Sequence, residues 1–211
     1  MRAQAVVLDV GGVLAHNMWE PMLGDLAERY GLDAQEVAAA GSLLWETFAY
    51  VPETPANTWR DMEQRYWQIF LRMFAVPLTV DQLIARTDDY VIPMPGMRPL
   101  LEQLRARGVP LLICSNNNEI WWPRQATALA LDEFFAPEKV ILSSRVGAPK
   151  ESPRLEMFRA VVAAAGVPAP ACFYTDDRQP IIDHALEFGL DAMLFRGPDW
   201  FAGELRRRAL L

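Results

Sequence analysis

Lysine is nearly absent from this chain. Of 20 basic residues in 211, only Lys139 and Lys150 are lysines and the rest are arginines. Each lysine therefore calls for a reason of its own. Histidine and cysteine are as scarce, at two each. Cys114 and Cys172 each lie inside an apolar run, which argues against a disulfide-stapled scaffold. They read as small buried hydrophobes in a reducing compartment, so the expected location is the cytoplasm. No apolar run approaches the ~18 residues of a membrane span. Asp9 interrupts the first apolar run with no small-residue cleavage site after it, so no secretory leader is predicted. An excess of positive charge is missing too. A net charge of −7 argues against nucleic acid or an anionic membrane as partner, since both reward a basic face. The one basic run, Arg206-Arg207-Arg208, is expected as a solvated helix end. Repeats and low-complexity tracts are lacking, and 52% hydrophobic against 22% charged residues excludes disorder.

What is present is alternation. Ala5–Val10, Leu111–Ser115, Val140–Ser143, Cys172–Thr175 and Ala192–Phe195 are short Val/Ile/Leu/Phe-rich runs of the kind that form buried parallel strands. Helical patterns separate the later ones: Met97–Arg107 stops at Gly108, Pro153–Ala165 before Gly166, and Ile181–Phe188 at Gly189. The order implies an α/β fold with a doubly wound, mostly parallel sheet. Between the first two strands lie about eighty residues of helical periodicity, far more than a simple crossover needs. Trp19, Trp45, Trp59 and Trp67 fall there, read as the core of an inserted helical subdomain with a few aromatics left to line a pocket. The expected organisation is a core of residues 1–14 and 96–211 and a movable helical cap with its linkers, residues 15–95.

The chemistry-bearing residues gather at the ends of the predicted strands, where open α/β sheets bind ligands. Val6-Val7-Leu8-Asp9-Val10-Gly11-Gly12 sets one carboxylate after an apolar run, where it would be costly if buried and unpaired. The glycines behind it let backbone N–H groups approach an anion. Cys114-Ser115-Asn116 ends the second run in a hydroxyl and an amide. Gly147-Ala148-Pro149-Lys150 puts one of the two lysines in a loop, and Thr175-Asp176-Asp177 ends a strand in paired carboxylates. Such a pair repels itself unless a cation is close, and hard oxygen ligands suit Mg²⁺. At one sheet edge, Asp9 can attack phosphorus while Ser115 and Lys150 hold the phosphoryl oxygens. Helix capping by Asp176 and Asp177, and a turn role for Asn116, are the plainer alternatives.

These four motifs, in this order, resemble the haloacid dehalogenase (HAD) superfamily, in the subgroup with a helical cap between the first two motifs. The resemblance covers nearly the whole chain and implies a HAD-like Rossmannoid core. Carried over residue by residue, it implies Asp9 as nucleophile and metal ligand, and the Gly11 carbonyl and Asp177 as further Mg²⁺ ligands. Asp176 would act in or beside that shell. Gly11, Gly12, Ser115, Asn116 and Lys150 would hold the phosphate. The implied activity is Mg²⁺-dependent hydrolysis of a small phosphorylated metabolite, sugar phosphates among the candidates, through an aspartyl-phosphate on Asp9. The protein would act as a monomer or homodimer.

The pattern departs from the family at Gly11, where family phosphatases usually carry the aspartate that serves as general acid and base. Loss of such a group costs about 10²–10⁴-fold. His16, just past the motif, is the candidate substitute, with an ordinary pKa suited to proton transfer near neutrality. His184, mid-helix, reads as structural. Glu151 stands where a proline is common, and Ile181 where asparagine is. Two alternatives follow: a weakly catalytic ligand- or partner-binding protein, and a metal-independent 2-haloacid dehalogenase. Trp121, Trp122 and Trp200 read as packing residues.

Overall fold

The computed structural model describes residues 3–211. Met1 and Arg2, the start of the expected core segment, lie outside the described residues. The chain opens with β1 (Ala5–Leu8) and then runs through α1 (Trp19–Tyr30), α2 (Ala34–Phe48), α3 (Trp59–Met73) and α4 (Val80–Asp88). Next come α5 (Met97–Ala106), β2 (Leu111–Ser115), α6 (Trp122–Ala128), β3 (Val140–Leu142), α7 (Ser143–Val146) and α8 (Glu156–Ala165). It closes with β4 (Cys172–Asp176), α9 (Gln179–Phe188), β5 (Asp191–Leu194) and α10 (Pro198–Arg207).

The five strands form one parallel sheet in the order β3-β2-β1-β4-β5. Strands β1 to β4 are buried throughout, which is why they read as unbroken apolar runs. Val6, Leu8, Ile113 and Phe173 face one layer, with Leu100 and Leu104 of α5 and Phe201 of α10. Val7, Leu112, Cys114 and Tyr174 face the other, with Phe158 of α8 and Ile182 of α9. From central β1 the chain winds outward through β2 and β3, then returns to β4 on the opposite side. The C-terminal ends of β1, β2 and β4 therefore flank the switch point where such sheets bind ligands.

The helical stretch α1–α4 has an apolar cluster of its own, built on Met22, Leu26, Trp67 and Phe70. Local signals start its helices: Asp33 accepts from the Gln35 and Glu36 amides, and capping boxes pair Thr58 with Asp61 and Thr79 with Gln82. Its two connections to the sheet run side by side, with the His16 amide donating to the Ile92 carbonyl and the Met94 amide to that of Leu14, both at 2.9 Å. A third link comes from beyond β2. Trp121 is fully buried in the helical cluster, its ring 5.9 Å from that of Trp45 and nearly parallel. Arg124, on α6, donates to Glu63 of α3 at 2.7 Å and also to Asp88.

Several local expectations shift. The third strand stops at Leu142 because Ser143 begins a one-turn helix. The helix expected from Pro153 starts at Glu156, since the Leu155 amide closes a turn on the Ser152 carbonyl and Leu155 takes a positive φ of 56°. The basic run is not uniformly solvated. Arg206 and Arg207 are exposed, but Arg208 pairs with Asp191 and Glu204 and lies 3.8 Å from the Phe173 ring centre. Trp122 and Trp200 are half-buried against the sheet layer, as packing residues.

Glu63 is 1% exposed and Arg124 is its ion-pair partner, so Arg124→Met leaves a carboxylate buried without it. The expected loss is about 3 kcal/mol at pH 7 in urea unfolding, the usual scale for breaking a buried pair. Burial already raises the Glu63 pKa. A carboxyl whose folded pKa lies above its unfolded value destabilises at high pH, and that penalty fades as pH falls through the folded value. The loss should therefore be smaller at pH 5 than at pH 7; an equal loss at both would show that Glu63 is not its source.

Candidate active site

Three strand ends and one loop converge on Lys150. The β1 pairing continues to Asp9, whose amide donates to the Thr175 carbonyl at 3.2 Å. Asp9 thus emerges at the sheet edge, where one carboxylate oxygen takes the Val10 amide at 2.7 Å and the other meets the Lys150 Nζ at 2.8 Å. Lys150 is 1% exposed and donates its second bond to the Asp176 Oδ2 at 2.5 Å. Asn116 holds the lysine's loop in place: its Oδ1 accepts from the Lys150 amide at 2.8 Å and its Nδ2 donates to Glu151 at 2.6 Å. Glu151 in turn pairs with Arg178 at 2.8 Å. The buried Ser115 hydroxyl, at the end of β2, lies beside Asp9 and favours its charged form.

The two adjacent aspartates separate in role, because Asp176 is the last residue of β4 and Asp177 lies just past the strand end. Asp176 is fully buried and its oxygens are committed, Oδ2 to Lys150 and the Tyr174 hydroxyl, Oδ1 to the Arg178 amide at 3.0 Å. Asp177 faces the cavity and, among the described residues, forms no ion pair. Its neighbour on the other side is Gly12. A Cβ at Gly12 would lie 2.1 Å from the Asp177 Oδ2, and Gly12 has a φ of +73°. Only glycine fits both demands.

Asp9, Asp176 and Asp177 each offer an oxygen within 4.8 Å of one another, and the Lys150 ammonium pairs with the first two alone. The titration behaviour reflects that shortage. Burial pushes the Asp9 carboxyl up to about 6 against the pull of Lys150, with the Asp176 charge adding to the rise. Burial, then the Asp176 charge, raises Asp177 as well. Burial opposes ionisation of Asp176 too, but Lys150, Tyr174 and the Arg178 amide outweigh it and hold that carboxyl below its ordinary range. The Lys150 ammonium is favoured by both carboxylates despite its burial. A carboxylate surplus of this kind, open to a cavity, can hold a divalent cation through Asp9 and Asp177. Asp176 stands behind them and orients Lys150.

The cavity measures about 320 Å³. Asp9, Gly11, Ser115, Asn116, Lys150 and Asp177 line its sheet side. The structure thus brings together Asp9, Gly11, Gly12, Ser115, Asn116, Lys150, Asp176 and Asp177. The Asn116 amide, spent on the loop, is not a free phosphate donor. His16 is not brought in: it is exposed, and its amide serves the paired linkers. His184 sits mid-way along α9, outside the cavity. Sequence reasoning missed Tyr174 and Arg178 as members of the Asp176 network. On the opposite wall Trp19 of α1 and Trp45 of α2 are among the aromatics from which pocket lining was expected, but Ser42 and Glu46 beside them were missed. The i, i+3, i+4 spacing of Ser42, Trp45 and Glu46 marks one helix face, the only signal available in sequence.

Two outcomes follow for metal binding. Gly12→Ala should lower Mg²⁺ affinity by about tenfold or more in calorimetry, the scale for displacing a metal's supporting groups, with the fold retained by circular dichroism. Wild-type affinity on that residue set proves the Asp177 contact irrelevant. Asp9 must also be ionised to bind a cation. With its pKa at about 6, roughly a tenth is ionised at pH 5 and roughly nine tenths at pH 7, so Mg²⁺ affinity should fall by about tenfold between pH 7 and pH 5, with protons released to the buffer as Mg²⁺ binds at pH 5.

The family model for haloacid dehalogenase-like hydrolases matches residues 3–188. Phosphatase MT3486 of Mycobacterium tuberculosis is 27% identical over 198 residues, covering 92% of this chain and 88% of the relative. A HAD family enzyme of Bacteroides thetaiotaomicron, crystallised with magnesium and inorganic phosphate, superposes with a TM-score of 0.68 at 20% identity, over 92% of this chain and 95% of that one. The L-2-haloacid dehalogenase RSc1362 superposes with a TM-score of 0.62 at 20% identity, over 91% and 86%. At such identities these two likenesses concern the fold alone. The match of the family model across β1 to β4 and the helical stretch makes the conclusion plain: this chain belongs to the haloacid dehalogenase-like hydrolase family.

Proposed function

We propose that the protein is a Mg²⁺-dependent phosphatase of a small phosphorylated metabolite, with residues 15–95 acting as a cap over a core of residues 1–14 and 96–211. The observation that carries this reading is the shared cavity: a nucleophilic carboxylate, Asp9, lies beside the Lys150 ammonium and the Ser115 hydroxyl, with the unpaired Asp177 facing it. Phosphatase MT3486 and the magnesium- and phosphate-bound Bacteroides enzyme agree with it. Buried, unpaired Cys114 and Cys172 suit a reducing cytoplasm, and no described helix is long and apolar enough to cross a membrane.

In this mechanism the Asp9 Oδ attacks phosphorus while the bond to the leaving oxygen breaks. Lys150 and Ser115 stabilise the charge on the phosphoryl oxygens. Water then attacks the phosphorus of the aspartyl-phosphate, releasing inorganic phosphate and restoring the Asp9 carboxylate. Asp9, Asp177 and the Gly11 carbonyl would hold Mg²⁺, which supplies charge neutralisation to the phosphoryl oxygens. Asp176 and Tyr174 keep Lys150 aimed at the site. With glycine at position 11 and His16 outside the cavity, no side chain on the sheet side protonates the leaving oxygen. Leaving groups that are stable as anions are therefore favoured.

The metal-independent dehalogenase reading fares less well. It needs a cation on the helical wall to clamp the substrate carboxylate. The residues lining the cavity from that wall are Asn17, Met18, Trp19, Ser42, Trp45 and Glu46, none of them cationic.

The test is phosphate release from p-nitrophenyl phosphate and from alkyl monophosphates, with Mg²⁺ and with EDTA. Turnover should require Mg²⁺, vanish in Asp9→Asn, and persist in His16→Ala. The aryl ester should outpace alkyl esters by about 10² or more, the lower end of what a missing general acid costs. No release from the aryl ester, whose leaving group needs no proton, would leave ligand binding without turnover as the function.

A further inference from the structure

The helical stretch α1–α4 leaves the sheet by two linkers, paired side by side through His16 and Ile92 and through Leu14 and Met94. Paired linkers alone form a hinge about which a cap can swing. Away from that hinge, α6 joins the two bodies a second time. One of its faces, Trp122 and Ala126 with Leu129 just beyond, packs on the sheet layer. The next face, Trp121, Arg124 and Gln125, meets the helical cluster. The Trp121 ring is fully buried among those of Trp19, Trp45, Tyr66 and Trp67, at centroid distances of 5.2, 5.9, 5.6 and 6.2 Å. Those rings come from α1, α2 and α3, so one indole holds three helices. Arg124 adds the buried Glu63 of α3 at 2.7 Å and Asp88 of α4, with the Trp59 ring centre 5.9 Å from its guanidinium.

The segment leading into α6 cannot ride along with the helices, because the sheet side holds it too. The Asn117 amide donates to the Ser143 hydroxyl at 3.0 Å. That hydroxyl and the Ser144 amide donate to the Asn117 carbonyl at 2.9 and 3.2 Å. Buried Glu119 pairs with Arg145 at 2.8 Å. All three partners belong to α7, directly after β3. Swinging the helical stretch would therefore pull Trp121 out of its aromatic cluster and split the Arg124–Glu63 pair. Exposing a buried aromatic side chain and breaking a buried ion pair together leave an open form in roughly one molecule in 10⁴ or fewer. Nor does access require opening. Asn17, Ser42, Glu46, Asp177 and Arg178 line the cavity and are exposed, so solvent already reaches it past both walls.

We propose that Trp121 and Arg124 are positioning residues that pin α1–α4 to the sheet, making the helical stretch a fixed wall of the cavity and not a moving lid. Small ligands then enter and leave by the standing opening. No closure step shields the cavity from water, and departure of a bound molecule does not wait on movement of the helices. The two linkers gave the opposite expectation, because α6 lies far from them in sequence.

The test measures the distance between the two bodies without any turnover, so it stands or falls apart from the phosphatase reading. Spin labels would be attached to cysteines introduced by Leu43→Cys on α2 and Leu186→Cys on α9, both exposed positions. Cys114 and Cys172 are buried and take no label. Double electron–electron resonance on the otherwise wild-type protein should give one narrow distance, unchanged by Mg²⁺ with inorganic phosphate. Arg124→Met and the milder Trp121→Leu, each checked for folding by circular dichroism, should broaden that distribution or add a second distance. A second distance in the otherwise wild-type protein, or a shift on adding Mg²⁺ and phosphate, overturns the proposal. So does a distribution that stays equally narrow in the folded variants, since other residues would then hold the wall.

Discussion

One buried ammonium organises the site. Lys150, at 1% exposure, has no access to water and must be neutralised by the protein itself. It bridges Asp9 and Asp176, and so ties the end of β1 to the end of β4 and both to its own loop. Removing the ammonium would strand both carboxylates in the interior, so the three segments are held in mutual register. Asn116 extends the same constraint to the end of β2. What the ammonium does not do is balance all the charge. With Asp177 added, carboxylates exceed cations at the cavity floor, an arrangement that can hold a cation; burial, joined by the Asp176 charge, raises the Asp9 pKa. One arrangement thus serves folding and chemistry.

The segment after β2 connects that floor to the opposite wall within a few residues. Ser115 and Asn116 line the sheet side of the cavity. Asn117 follows, its amide bonded to the Ser143 hydroxyl and its side chain to Gln125. The Asn118 carboxamide oxygen then takes the amides of Ile120 and Trp121 and turns the chain into the helical cluster. Trp121 arrives there as a platform for Trp45. A run of three asparagines, unremarkable as composition, is a sequence of short hydrogen-bonded turns that carries the backbone from one wall to the other. The polar face of α2 is therefore positioned by residues of the sheet side as well as by its own helical neighbours.

Much of the fold was legible because its signals are local. Continuous β-branched runs report strands buried on both faces, and terminal glycines report helix ends. The sheet edge was legible because charged and hydroxyl residues cannot remain inside those runs. The departures share a cause. Pro153 lies in a turn because Leu155 adopts a left-handed conformation that its residue type does not announce. Arg208 is drawn from solvent by Asp191 and by Phe173, residues distant in sequence. His16 had suitable chemistry but lies on a linker whose backbone pairing keeps it away from the cavity.

By itself, the sequence determined which chemical groups would stand at the strand ends and in what order, because hydrophobic periodicity and the cost of burying charge act along the chain. It also determined the long helical stretch, whose aromatics require a core of their own. Only the tertiary structure decided between groups alike in sequence: Asp176 committed to Lys150 while Asp177 stays open, and Trp121 reaching across to the helices. Those distinctions rest on burial and on partners from far along the chain, and no local pattern encodes them.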